Sequence, residues 1–347
     1  MTSSFQPSTS QAQGAALPMH LPAEFEASIA ALWVFPIKSC AGISVQQAVL
    51  TPTGLANDRA WMVVDADGEM VTQRDLSRMA LIQPELVHTG ASVAELVLHG
   101  RGMNALHVPL TAEGHAFRGL ANTSAVSKAQ TINVRVWDDQ VPAFDMGAEA
   151  SKWLTEFLGS SLGTLRLVRF DLSYQRHSNA QWTHGLTSIN QFSDGFPVLV
   201  ASTASLDELN ARLQAKGEAA VDMRRFRANV VLGNADASSN HADQSVALSA
   251  HDEDRISTLT IHTQVADTDT HSEVVQLVPV KPCPRCPIPN IDPDSAQSHP
   301  AVNDTLQAYR QDPRVNGALT FGMNCVPVSG VGQVLRVGQR VSAEWAF

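Results

Sequence analysis

The sequence predicts an α+β protein in which β-structure dominates, folded as a barrel or a sandwich. Three observations lead there. Short apolar or alternating runs recur along the chain, separated by Gly, Pro, Asn and Asp turns. Few stretches carry helical spacing. The 347 residues are enough for two domains.

Taken in order, residues 1–27 contain no Lys or Arg and are rich in Ser, Gln, Ala and Pro, which predicts a disordered tail. Ser28–Phe35 is short, apolar and stopped by Pro36, the pattern of a buried strand. Ile43–Leu50 alternates as a second strand and Arg59–Val64 reads as a third. Asp67-Gly68 then turns the chain into Glu69–Thr72. Leu81–Val87, Glu95–Leu98, Leu106–Leu110, Thr131–Trp137 and Ala143–Asp145 complete a first domain over 28–145.

The second domain, 146–347, opens with a helix over Gly147–Leu158, whose Trp153/Phe157 and Leu154/Leu158 pairs share one face before Gly159. Leu165–Phe170 is a strand, and Asp171–Ser193 reads as a long polar loop carrying Arg176, His177, Trp182 and His184. Phe196–Ala201 is a buried strand. Ser205–Lys216 is a helix with a Ser205/Glu208 capping box and a Leu206, Leu209, Leu213 stripe. Val230–Leu232, Ile256–His262 and Val274–Val280 are strands, with an exposed polar insertion at 234–254. Val302–Arg310 is a short helix, and Phe321–Val328 and Gly332–Val341 finish the sheet.

Composition excludes several classes. A net charge of −10 disfavours broad nucleic-acid binding. No apolar run approaches the roughly 20 residues of a membrane span. The first cation is Lys38, so residues 1–27 have neither the basic start of a secretory signal nor the arginines of a mitochondrial presequence. Four unevenly spaced cysteines do not make a disulfide framework. Together these features predict a cytoplasmic protein.

The chemistry concentrates at 281–293, Lys281-Pro-Cys-Pro-Arg-Cys-Pro-Ile-Pro-Asn-Ile-Asp-Pro293, which holds Cys283 and Cys286 and five of the 18 prolines. That proline density predicts a rigid loop and argues against a helix or a central strand. A structural zinc site would need two close ligand pairs, but Cys40 and Cys325 are isolated and no His pair has the right spacing. A thioredoxin-like dithiol needs a helix starting at the cysteines, which Pro287 and Pro289 oppose. Spacing leaves two readings open: a single thiolate ligating a soft metal beside Arg285, or a cysteine pair packed in a turn. Cationic turns recur at strand ends: Lys38 with Ser39, Arg59, Arg224/Arg225/Arg227 with Asn229, and Lys281 with Arg285. Arg forks and Lys charges suit phosphate, although isolated surface cations are commonly only solvating.

The segment resembles the metal-binding loop of MOSC-domain proteins, the family of the amidoxime-reducing components and their bacterial relatives. Ala31–Val45 resembles the start of the N-terminal MOSC barrel, Asn57–Trp61 its D-R-x-W motif, and Phe226–Asn229 its F-R-x-N motif. The resemblance implies an N-terminal β-barrel domain followed by a MOSC β-barrel with peripheral helices. It implies a molybdenum cofactor, Mo-molybdopterin, with Cys286 as the metal ligand. Lys38, Ser39, Arg59, Ser193, Arg227, Asn229 and Arg285 are implied as further cofactor contacts. The implied activity is reduction of N-hydroxylated small molecules, with electrons from a separate flavin or iron–sulfur reductase. The alternative is a cofactor or sulfur carrier without turnover. No iron–sulfur, flavin or pyridoxal-phosphate motif is expected in this chain. Pro287–Asn290 stand where the family's reductases often carry Ile-Leu-Thr-Thr.

Overall fold

The computed structural model describes residues 24–90, 92–110, 116–118, 126–128, 131–159, 161–234, 248–263 and 274–346. Most of the predicted tail and the centre of the predicted polar insertion, 235–247, lie outside them. The fold is predominantly β, as the pattern of short runs predicts.

Seven strands close into a barrel. In chain order they are β1 (Glu24–Val34), β2 (Val198–Ser202), β3 (Val230–Asn234), β4 (Ile256–His262), β5 (Val274–Pro284), β6 (Ala318–Ser329) and β7 (Arg340–Trp345). Around the ring the order is β2-β3-β1-β7-β4-β5-β6, returning to β2. A ring with an odd number of strands cannot alternate direction all the way round, so one neighbouring pair must be parallel. That pair is β2 and β3; every other pair is antiparallel. A parallel pair needs a long crossover, and the helix α2 (Thr203–Ala215) provides it.

Burial follows the two-residue period of a strand. Val198, Val200, Val230 and Leu232 fill the barrel with Leu259, Leu277 and Val341. Leu199, Ala201 and Val231 face outward under Leu209 and Leu213 of α2, with Phe226, Phe321 and Leu306. Both faces are covered, so these strands read as continuous apolar runs. In β1 both Ile29 and Leu32 point inward, which an odd spacing allows only because a bulge lies between Ile29 and Ala31.

The first strand, read from sequence with the N-terminal residues, is hydrogen-bonded inside this barrel: Leu32 faces Val230 and Ala27 faces Val341. It also starts earlier than predicted, at Glu24. Conversely, Arg166–Phe170 joins a four-stranded sheet with Trp61–Val64, Asp139–Asp145 and Thr131–Val136. A three-stranded sheet, Gln83–Thr89, Ser92–His99 and Leu106–Pro109, stands beside it. The helix α1 (Ala148–Leu158) packs Trp153, Leu154 and Phe157 against Leu96, Leu98 and Leu167, and Gly159 ends it in the left-handed conformation.

Several expectations are corrected. The cysteine segment begins as a strand: β5 runs through Lys281–Pro284, paired with β6 across register shifts. The prolines are tolerated because pairing with β4 ends at Leu277, leaving an open side where no N–H is needed. The helix α2 is capped by Ser202, whose hydroxyl accepts from Ser205 N at 3.1 Å, so the predicted capping box sits one turn too late. Glu208 instead pairs with Arg212, with His251 Nε2 standing 3.1 Å from its carboxylate. The loop 171–193 carries a two-stranded ribbon, Arg176–His177 with Ile189–Asn190, and a helical turn at Ala180–Thr183.

The end of the predicted exposed insertion is in fact buried at His251, Asp252 and Glu253. Glu253 lies beneath the start of α2, where Ser205 Oγ and Ser202 Oγ donate to its two oxygens at 2.6 and 2.9 Å. Burial pushes its carboxyl up to about 7, against these hydrogen bonds. A raised folded pKa means that the folded state holds the proton the unfolded state has lost. Stability is therefore full below the ordinary Glu range and falls as pH rises through about 7. Glu253→Gln should remove that fall and stabilise the protein at pH 8 by about 3 kcal/mol. Urea unfolding of both proteins between pH 5 and pH 8 checks this; identical pH dependence would show Glu253 ionising normally.

Candidate functional site

The turn after β1 begins the site. Phe35 ends the buried run, and Lys38, Ser39 and Cys40 follow in a turn packed on the N-terminal sheets. Lys38 N and Trp61 N exchange hydrogen bonds with Trp61 O and Pro36 O, at 2.8 and 3.0 Å. Ser39 sits at φ +65, and its carbonyl accepts from Gln73 Nε2 at 2.7 Å. Cys40 is fully buried, and burial raises its thiol to about 12, which fits a packed residue and not a nucleophile.

Lys38 is buried and reaches toward the 189–195 segment. Its ammonium donates to Phe192 O at 2.9 Å and to Asp194 Oδ1 at 2.5 Å. Burial lowers its pKa, and the Asp194 carboxylate opposes that shift. Asp194 itself stands at the surface, 77% exposed. Arg176 fixes this segment: its guanidinium donates to Asn190 Oδ1, Gln191 O and Ser193 O at 2.6, 2.9 and 2.6 Å. Ser193 is thereby held with its hydroxyl buried and unpartnered.

Arg59 and Arg227 meet across Phe35. Their guanidinium carbons lie 4.5 and 4.3 Å from its ring centroid. Arg59 pairs with buried Asp58 and donates to Asn229 Oδ1 at 3.0 Å and to Arg227 O at 2.9 Å. Arg227 donates to Cys40 O at 2.5 Å, while its Nη2 is buried without a partner. No carboxylate pairs with Arg227 among the described residues. Burial, then the charge of Arg59, pulls its guanidinium down to about 9. An anion placed here would relieve both effects.

The Phe35 platform depends on Gly42. A Cβ there would stand 2.4 Å from the Phe35 ring. Gly42→Ala should cost about 1–3 kcal/mol through overpacking and shift the ring that carries both arginines. Denaturant unfolding measures the loss; an unchanged midpoint would mean that Phe35 moves freely.

Asn229 has a different role from the other predicted contacts. Its side chain accepts from Leu199 N at 3.1 Å and from Arg59, and donates to Trp33 O at 3.2 Å. Both acceptor positions of its Oδ1 and one Nδ2 hydrogen are used on Arg59 and on the two flanking strands, so it positions Arg59.

Arg285 closes the other side. It donates to Phe226 O at 2.9 Å and to Cys283 Sγ at 3.0 Å, leaving Nε buried and unpartnered. Its thiol contact is with Cys283, which packs partly into the outer core; Cys286 is half-buried in the turn beyond. The neighbouring arginines are spent on the loop itself. Arg225 donates to Pro289 O at 3.1 Å and Asp292 Oδ2 at 2.8 Å, and Arg224 pairs with Asp222 and Asp294. Asp292 closes the turn by accepting from Asp294 N and Ser295 N. Among the described residues no group of three or more His, Cys, Asp or Glu is placed to hold a metal ion.

The structure thus gathers Lys38, Ser193, Arg59, Arg227, Asn229 and Arg285 into one connected network, with Ser39 in its wall; Cys286 follows Arg285 in the chain, and its one described hydrogen bond is from Asn303 to its carbonyl. His177 and His184 are exposed and take no part. Sequence reasoning missed Asp194, Trp137 and Arg74. Trp137 Nε1 donates to Asp194 Oδ1 at 3.2 Å, and the Arg74 guanidinium lies 4.6 Å from the Trp137 ring. The available signal was an aromatic residue at a hairpin tip, where Gly or Asn is usual.

Comparison with known proteins adds to this geometry. Residues 26–161 match the MOSC N-terminal beta barrel domain and residues 187–342 match the MOSC domain. The chain is 30% identical over 295 residues to mitochondrial amidoxime-reducing component 1 of Homo sapiens, covering 82% of this chain and 72% of that protein. It is 29% identical over 294 residues to mitochondrial amidoxime reducing component 2 of Bos taurus, with 82% and 72% covered. It is also 27% identical over 310 residues to the molybdenum cofactor sulfurase of Homo sapiens, covering 84% of this chain and 29% of that protein. Among the described residues no helix is long and apolar enough to cross a membrane.

Proposed function

This chain belongs to the MOSC-domain family, and from that premise we propose that it reduces N-hydroxylated compounds with a molybdenum cofactor held at Cys286. The observation that carries the reading is a set of buried donors without partners, Arg227 Nη2, Arg285 Nε and Ser193 Oγ, in a network that reaches the residue preceding Cys286 in the chain. Buried unpaired donors are costly and rare, so their concentration here supports a bound group rich in acceptors. A pterin with a phosphate fits that donor set. Its anionic end suits Arg227 with Arg59 and Lys38; its polar ring suits Ser193 and the exposed backbone of the turns. Cys286 would supply the protein's thiolate ligand.

When bound, the cofactor supplies two-electron oxygen-atom chemistry, and the protein orients it and limits access. The net reaction breaks an N–O bond, takes up two electrons and two protons, and releases water. Arg285 and Cys283 hold the strand end that presents Cys286; Arg225 and Asp292 hold the far side of its loop. Electrons come from a separate flavin or iron–sulfur donor protein. Four free thiols, two of them deeply buried, suit a reducing compartment such as the cytoplasm. The test is turnover of benzamidoxime with reduced benzyl viologen as donor. Conversion to benzamidine supports the reductase. Cofactor-loaded protein that never turns over would indicate a carrier of the cofactor or its sulfur.

A further inference from the structure

Two carboxylates face the cations of this site, and they are held very differently. Asp58 is fixed. It is buried, its Oδ1 accepts from Phe35 N at 2.8 Å, and its Oδ2 pairs with Arg59. Asp194 is open to solvent, and its described side-chain contacts all fall on Oδ1, from the Lys38 ammonium at 2.5 Å and from Trp137 Nε1 at 3.2 Å. Its charge also acts on Arg59 and on Arg227, whose Nη2 is buried without a partner. On the solvent side the exposed guanidinium of Arg74 lies 4.6 Å from the Trp137 ring, with no carboxylate partner among the described residues. Asp194 thus stands between two cations, buried Lys38 and exposed Arg74.

We propose that Asp194 is a displaceable counter-ion. It neutralises Lys38 when no other anion is bound, and it yields that place to a phosphate dianion. Charge balance argues for the exchange. A buried ammonium needs an anion beside it, and a carboxylate on the surface segment meets that need while its second oxygen stays in water. A phosphate brings about two charges and three acceptor oxygens, so it can satisfy Lys38 and still offer acceptors to Arg227 Nη2. Two anions at one ammonium repel each other, which drives the carboxylate out. Arg74 then gives it a partner at the surface. The phosphate chemistry rests on the cofactor reading, because the pterin carries such a group. The exchange itself is testable with inorganic phosphate alone.

The experiment has two arms. Calorimetry at about pH 8, where phosphate is a dianion, measures inorganic phosphate binding to the full chain made in a host without the cofactor. The proteins are wild type, Asp194→Asn, Lys38→Met and the double variant. Asparagine keeps an acceptor for Lys38 and Trp137 and removes only the charge. Asp194→Asn should tighten phosphate about 5-fold, the worth of one ion pair with an exposed partner, and the gain should vanish in the Lys38→Met background. The second arm measures pterin retained after dialysis in protein from a cofactor-making host, where Asp194→Asn should keep more than wild type. Unchanged or weaker phosphate binding in Asp194→Asn overturns the proposal. So does a gain of equal size without Lys38, or no phosphate binding in any of the four proteins. Tighter phosphate binding with no pterin in either protein leaves the counter-ion standing and removes the cofactor; retained pterin with unaltered phosphate binding does the reverse.

Discussion

Changing Cys286 to alanine should abolish the proposed N-hydroxy reduction and leave the fold intact. The stability half follows from packing. Cys286 lies beyond β5 in a half-buried turn, outside the core clusters, and its backbone is held by Asn303 Nδ2 on its carbonyl at 3.4 Å. Loss of one such sulfur costs on the order of 0.5 kcal/mol. The activity half follows from ligation. Changes around a metal's ligands typically cost about 10- to 100-fold, so loss of the proposed thiolate ligand should exceed that range. Cys283→Ala is the control. It removes the thiol that Arg285 contacts and should reduce activity only through the position of the loop. Circular dichroism, unfolding midpoints and turnover distinguish these cases. Full turnover in Cys286→Ala would remove the thiolate from the mechanism.

The second large effect is at Arg227. Truncation to alanine removes one hydrogen bond to Cys40 O but also removes a buried, like-charged neighbour of Arg59. Stability should therefore change little or rise. Cofactor retention should fall about 10- to 100-fold, the value of one or two buried charge-assisted hydrogen bonds. Molybdenum occupancy after dialysis reads this directly. Unchanged occupancy together with a large stability loss would make Arg227 a structural residue.

Much of this arrangement is legible in the sequence because its signals are local. The alternating or apolar runs of β2, β3 and β4 announce strands, and α1 ends at its glycine where spacing places it. The motifs around Lys38, Arg59, Arg227 and Arg285 place cations at strand ends. What stays hidden is long-range. Nothing near Ile29 shows that its partners lie some 200 residues away, so the pairing of β1 with β3 cannot be read locally. The prolines of 279–284 look incompatible with a strand until β4 is seen to end early. Arg224, Arg225 and Arg227 look equivalent in the sequence. Only their partners separate two loop braces from one cation without a carboxylate. Arg176 likewise reads as one charge in a polar loop, yet it is the buried post on which Ser193 and Asp194 are hung.

This network is proposed to hold a molybdenum cofactor. The most direct measurement is the molybdenum and pterin content of the purified chain from a host that makes the cofactor, by metal mass spectrometry and by fluorescence of the oxidised pterin. Near-stoichiometric molybdenum with matching pterin is expected, both lost in Arg227→Ala. Neither molybdenum nor pterin in the wild-type chain, from cells whose other molybdenum enzymes are loaded, would contradict it.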